Sequence, residues 1–468
     1  MRALPSALPI LLTVGTLGCG TPAPPDDGAA ALDLLITDGI VVTMNAGREV
    51  FSPGAVAISG SEIVAVGPAA DVGARYNAAA TMSVPGRVVM PGLINTHTHA
   101  PMVMYRGLAD DLALMEWLER YIFPAEASTV TADFVRVGTR LAALEMIMSG
   151  TTTFADMYFF EDAIAEVVRE AGLRAVLGQT VIGFPSPDAA TPAEGLDRAR
   201  AFIERWQDDP LIVPAVAPHA LYTLDAASLV AARGIADEYE APLIIHLAET
   251  RDEVATAAGL SELSPTAYLD SLGVLGAQTL AAHAVWVGGR DIEILAEHDV
   301  GVAHNPESNM KLASGTAPVP RMLVAGLAVG LGTDGAASNN DLDLFEAMRQ
   351  AAFLHKIVNE DPRSVAAPTA LEMATIGGAR ALGLDDRIGS LEPGKRADLI
   401  VVSMDAPRQT PMYDPISHLV YTTRGDDVIT TIVDGRVLMR DREVLTLEAE
   451  PVLNAARRLA QDVRAAVP

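Results

Sequence analysis

Eight short apolar stretches alternate with longer alanine-rich runs through the middle of this chain, and no other feature limits its fold so tightly. They are Val88–Thr96, Thr151–Asp156, Arg174–Thr180, Leu211–Pro218, Pro242–Ala248, Thr279–Val285, Val300–His304 and Ala328–Thr333. Strands that alternate with helices imply βαβ units, because a parallel partner strand is reached only through a long crossover. Eight such units over residues 88–387 predict an α/β fold, a closed (β/α)8 TIM-type barrel. Four more strand-like stretches flank the barrel: Leu34–Met44 and Ala55–Val66 before it, Ala397–Ser403 and Val428–Met439 after it. They are rich in Val and Ile and end in turn residues. The simplest joint reading is a small β-sandwich domain formed from both chain ends, residues 33–87 and 388–446, with a closing helix over 447–468. A chain of 468 residues has room for both. Aromatics make up only 5%, so the core must be built from Ala, Val, Leu and Ile.

The nine histidines are not scattered. His97 and His99 end the first predicted strand, His219 the fourth, His246 the fifth, His283 the sixth and His304 the seventh, and Asp334 follows the eighth. In such a barrel the C-terminal strand ends meet at one face, where its active sites are built. Alternate strand residues share a face, so His97 and His99 enter the barrel together. Taken alone, a His-x-His pair is as well explained by packing as by a metal. His246 and Asp334, however, each follow an apolar strand core, where an ionisable group is costly without a partner. Three imidazoles and a carboxylate suit zinc or a similar divalent ion, with a position left for water. The fourth strand, Leu211 to His219, holds no lysine or carboxylate to bridge a second ion, so one metal is expected.

The formal net charge of −27 makes nucleic acid an unsuitable partner. The single cysteine, Cys19, allows no intrachain disulfide. Met1-Arg2, the apolar run Ala3 to Leu17 and then Gly18-Cys19 resemble a bacterial lipoprotein signal, residues 1–19, with Cys19 as the lipidated residue. Residues 20–32 follow as a flexible tether. This reading puts the protein in the cell envelope, held to the membrane only through a lipid anchor. A cleaved secretory signal or a misplaced start site is the plainer account, and the second would leave the protein cytoplasmic. The sequence leaves self-association open.

Pro91-Gly92-Leu93-Ile94-Asn95-Thr96-His97-Thr98-His99 resembles the first-strand signature of the amidohydrolase superfamily. The segments Arg106 to Leu112, Met115 to Leu118, Phe154 to Tyr158, Ala217-Pro218-His219, Asn305 to Gly315 and Gly332 to Asn340 resemble its 5-methylthioadenosine/S-adenosylhomocysteine deaminase group, and Gly389 to Leu399 resembles the superfamily's return into the β-domain. The resemblance implies that His97, His99, His246 and Asp334 hold one zinc or iron ion. It implies that His283 contacts the metal-bound water and that Glu249 shuttles a proton to the ring nitrogen. Glu116 would bind ribose hydroxyls, and His219 and Ser338 would meet the substrate, together with Glu249 and Asp334. The implied reaction is hydrolytic deamination of an adenine-type nucleoside: attack on C6, a proton from Glu249 to N1, a proton accepted by Asp334, and loss of ammonia. Gln179 stands where relatives that act on S-adenosylhomocysteine often place an arginine, which favours a neutral 5′ substituent. His304 and Lys311 read as structural. The same barrel chemistry would serve a guanine, pterin or triazine substrate, and a non-catalytic ligand-binding lipoprotein is the rival from another class. Stoichiometric metal in the purified protein separates an enzyme from that rival.

Overall fold

The computed structural model describes residues 32–466. The signal, the tether and Cys19 lie outside these residues, apart from Leu32, where the first strand begins.

The closed barrel consists of β1 (Leu93–Thr98), β2 (Thr151–Tyr158), β3 (Arg174–Val181), β4 (Ile212–Pro218), β5 (Leu243–Leu247), β6 (Thr279–His283), β7 (Gly301–His304) and β8 (Val329–Leu331), all parallel, with β8 pairing β1. Small residues and branched aliphatics fill its interior, among them Ile94, Ala155, Val176, Ala215, Ile244 and Ala303. That is how a chain poor in aromatics packs a closed barrel. The N-terminal end is plugged by Ile376, Ala379 and Leu382. The open end is therefore the C-terminal one, where the histidines lie.

The stretch read as one strand from Val88 to Thr96 is two. Val88–Pro91 belongs to a separate nine-stranded sheet, and Leu93–Thr98 enters the barrel. The break has a local cause. Pro91 has no N–H to carry a ladder onward, and Gly92 sits so close to Thr152 that an added Cβ would lie 2.0 Å from its Oγ1. In the sheet, Val88–Pro91 pairs parallel with Leu32–Val42 and antiparallel with Leu399–Val402, which joins the two chain ends. Its core draws Leu34, Ile36, Val56 and Ile58 from the early strands and Leu399, Val401 and Ile432 from the late ones. The closing helix, Ala449–Ala466, packs on the barrel helix Ala132–Ser149.

One buried ion pair ties the two bodies together. Arg174, at the start of β3, donates Nε to Asp398 Oδ2 at 2.8 Å and a terminal nitrogen to Asp434 Oδ1 at 3.1 Å. Arg174→Leu strands the Asp398 carboxylate in the core, a loss of about 3–5 kcal/mol. A denaturant titration that found no change would show that water reaches this junction.

Candidate active site

His97 and His99 bring their rings together at the end of β1, with centroids 4.9 Å apart. His246 Nε2 lies 3.4 Å from His99 Nε2, and Asp334 Oδ1 lies 3.3 Å from His99 Nε2 and 3.5 Å from His97 Nε2. A tetrahedral site with bonds of about 2.0–2.1 Å has edges near 3.3 Å, so these spacings are those of a ligand set. Second partners fix the free faces. His99 Nδ1–H donates to Met157 O at 2.7 Å and His246 Nδ1–H to His219 O at 2.9 Å, so each turns Nε2 to the same point. Against burial, the Asp334 hydrogen bond raises His99 to about 9, so its Nε2 carries a proton that a metal would displace. His97 Nε2 is buried with no hydrogen-bond partner, which a metal bond would satisfy. Burial, reinforced by neighbouring imidazoles, lowers the pKa of His97 and His246 well below the ordinary histidine value. They are therefore neutral, the form that ligates.

Asp334 turns into this cluster through a left-handed backbone (φ 63°), with its amide hydrogen-bonded to His97 O at 2.9 Å. Gly335 N–H donates to its Oδ1 at 2.7 Å, and Ser308 and Ser338 donate to Oδ2 at 2.7 and 3.1 Å. Burial alone would raise this carboxyl. The hydrogen bond with His99 and the surrounding imidazoles outweigh it and hold Asp334 well below the usual carboxylate range. His283 also converges on His97 and His246. Its Nε2, however, stands 3.9 Å from both Glu249 Oε2 and Asp334 Oδ2. It faces the carboxylates on the substrate side, so we place it beside the ligand set rather than in it.

Glu249 is buried where the chain leaves β5, and its backbone N–H is held by Glu253 Oε2 at 2.8 Å. Burial raises its pKa, and Asp334 raises it further against the pull of the His283 and His99 rings. That shift favours the protonated form a general acid requires.

These groups line one wall of a pocket. His219 and Ser338 line it as expected. Burial, with the His99 charge, lowers His219 to about 3, so its ring is neutral. The opposite wall is apolar: Leu114, Trp117, Leu118, Ile122, Phe123 and Phe159. Among the described residues no lysine or arginine lines this pocket.

Two sequence assignments do not survive the geometry. Glu116 lies outside the pocket, its side chain 46% exposed and paired with Arg120 at 2.8 Å. The carboxylate that lines the pocket is Glu126, ten residues on, buried and holding the Tyr158 hydroxyl at 2.7 Å. A helix from Leu114 to Trp117 passes through a π turn, Leu118–Ile122, into Phe123–Thr129, and Leu118, Ile122 and Glu126 all face inward. That four-residue spacing is visible in the sequence, and it singles out Glu126. Gln179 lies out of phase with the pocket. Its neighbour Thr180 lines it, while Gln179 points to the helix layer and donates to Asp188 Oδ2 at 3.0 Å. His304 does pack as a structural residue, its Nε2 3.1 Å from Nε2 of buried His355. Lys311 pairs with Asp110 at 2.5 Å, away from the ligand set. Sequence reasoning missed Ser308 and Glu253, whose signal is positional only.

Residues 88–438 match the family model described as Amidohydrolase family. A 5-methylthioadenosine/S-adenosylhomocysteine deaminase of Syntrophobacter fumaroxidans is 51% identical over 437 residues, covering 93% of this chain and 100% of that protein. A 5′-deoxyadenosine deaminase of Methanosarcina mazei is 44% identical over 437 residues, covering 93% and 99%. Among solved structures, an adenosine deaminase from Xanthomonas campestris with bound zinc superposes with a TM-score of 0.92 at 41% identity, covering 93% of this chain and 100% of that one.

Proposed function

The chain belongs to the amidohydrolase family, and from that premise we propose that it is a metal-dependent deaminase that hydrolyses the 6-amino group of adenine nucleosides. The observation that carries this reading is the pairing of two buried carboxyls in one pocket, Glu249 beside the ligand cluster and Glu126 beneath the apolar wall. The first suits proton delivery to a purine ring, and the second suits a pair of sugar hydroxyls. A bare triazine or guanine would leave Glu126 buried without a use.

His97, His99, His246 and Asp334 would hold one divalent ion, zinc in our reading. When bound, the ion supplies Lewis acidity that lowers the pKa of a water from about 15.7 to about 7. The Asp334 carboxylate, oriented by Ser308 and Ser338, takes a proton from the attacking water. His283 directs the water oxygen at C6. As the new C6–O bond forms, charge builds on N1 and Glu249 delivers its proton there. The proton held by Asp334 then passes to the amino group, the C6–N bond breaks as the new hydroxyl gives its proton back to Glu249, and ammonia leaves a ring with a carbonyl at C6 and a hydrogen on N1. Neutral His219 and the Ser338 hydroxyl border the bound base, and Glu126 accepts hydrogen bonds from the ribose. Ammonia release across adenosine, 5-methylthioadenosine, guanine and a triazine tests the reading, and turnover confined to non-nucleosides would overturn it. One equivalent of metal per chain, found by elemental analysis, is expected of the enzyme and not of a non-catalytic binder.

The absence of a lining cation favours a small apolar 5′ group. We expect kcat/KM for 5-methylthioadenosine to exceed that for S-adenosylhomocysteine by about tenfold or more, within the 1–3 kcal/mol such pockets discriminate. Equal values would place an unseen cation at the pocket mouth.

Burial pushes Glu126 up to about 7, against the Tyr158 hydrogen bond and the His99 charge. The ionised form, all acceptor and charged, binds two hydroxyls more strongly than the neutral acid. KM for a nucleoside should therefore fall as pH rises through about 7, and Glu126→Gln should raise KM and flatten that dependence. A pH-independent KM in the native enzyme would remove Glu126 from sugar binding.

The signal-like Met1 to Cys19 supports a further reading, an enzyme on the cell envelope that meets nucleosides from outside. Palmitate labelling lost on Cys19→Ala is the expected result. Unlabelled protein in the soluble cytoplasm overturns it.

A further inference from the structure

His283 is held from behind by Asn309, with Nδ1 and Oδ1 2.9 Å apart and both side chains buried. Asn309 sits on the short helix Pro306–Lys311, next to Ser308, which donates to Asp334 Oδ2. One turn of chain thus touches both groups that handle the attacking water. From this the geometry points to Asn309 as a positioning residue that fixes His283 in its Nδ1–H tautomer, leaving a bare Nε2 toward the substrate side. This rests on the deaminase reading given above.

The chemistry follows from what each nitrogen faces. An amide oxygen only accepts, so Nδ1 opposite Asn309 Oδ1 carries the hydrogen. Nε2 then offers a lone pair at 3.9 Å from both Asp334 Oδ2 and Glu249 Oε2. A water in this gap gives one proton to Asp334. Its second hydrogen is held by the bare Nε2, which leaves an oxygen lone pair aimed at C6. The opposite tautomer would point a hydrogen at that oxygen and occupy the electrons that must attack. Asn305 turns its amide nitrogen, a donor, toward Nδ1 at the longer distance of 3.4 Å, and its own Oδ1 is buried without a partner. A half-turn of that amide would add a second acceptor.

The test is long-range proton–nitrogen correlation on the full chain labelled at histidine nitrogen, metal-free and then zinc-loaded, with His283 assigned by its loss in His283→Gln. Wild type should show Nδ1 protonated and Nε2 bare in the metal-free protein. Asn309→Leu should lose that preference and lower kcat by about 10- to 100-fold with KM little changed, the scale of losing a partner that orients a metal site. Asn309→Asp keeps an acceptor and should keep the tautomer and most of kcat. Should Asn309→Leu fail to fold, Asn309→Ala takes its place. An Nε2–H signal in wild type overturns the proposal, as does an unchanged tautomer and kcat without the acceptor. The metal-free spectrum needs no turnover, so its result stands apart from whether adenine nucleosides are the substrate.

Discussion

Glu249→Gln is expected to lower kcat for a 6-aminopurine nucleoside by about 10²- to 10⁴-fold, the contribution of a positioned general acid. The substitution keeps shape and the backbone bond to Glu253, so metal content and melting temperature should hold. Glutamine can donate a hydrogen bond to N1 but has no proton to give. KM should change little, because the loss is felt when charge develops on the ring and not when the ring binds. In the native enzyme the acid must be protonated to act. Burial and Asp334 raise its pKa, so kcat/KM should decline on the alkaline side, and the variant should lose that limb. A Glu249→Gln enzyme within tenfold of wild type would hand the proton to another group.

Removal of the metal should abolish turnover and also soften the fold. The proposed ligands come from β1, from β5 and from the loop after β8, so one ion held by them would stitch strands on opposite sides of the barrel. Anything bound only by the folded state stabilises it, by about 4 kcal/mol when free ligand is a thousandfold above Kd. Chelation should therefore lower Tm by several degrees, and added zinc should restore both activity and Tm. Loss of activity with Tm unchanged would mean weak binding to the folded state. A chelated protein that still deaminates would exclude the metal reading altogether.

The convergence of these histidines and Asp334 was legible in the sequence because a polar ring at the end of an apolar strand has few places to be. His97, His246 and Asp334 needed only a barrel to bring them together. The pocket's far wall was less legible. Glu116 and Glu126 lie on one helical segment, and a π turn between them sets which carboxylate faces inward. That phase comes from how the segment packs on the pocket and not from composition. Gln179 failed for a related reason: a strand turns neighbouring residues to opposite faces, so a shift of one swaps pocket for helix layer. The split at Pro91-Gly92 was hidden because one apolar run, Val88 to Ile94, crosses it, and only the strand partners on either side distinguish the halves.

The junction at Val88–Pro91 also dictates an order of assembly. Val88 pairs with Val402, so the last partner of the early strands is made about 310 residues after them. At about 5–20 residues per second, the half-sheet ending in Val88–Pro91 waits some 15–60 seconds for its neighbour. Throughout that interval it presents an unpaired, strongly apolar edge, the kind that templates aggregation. Early termination anywhere before Leu399 leaves that edge permanently open. Shortened chains should therefore accumulate as insoluble material even when every barrel strand and every metal ligand has been made.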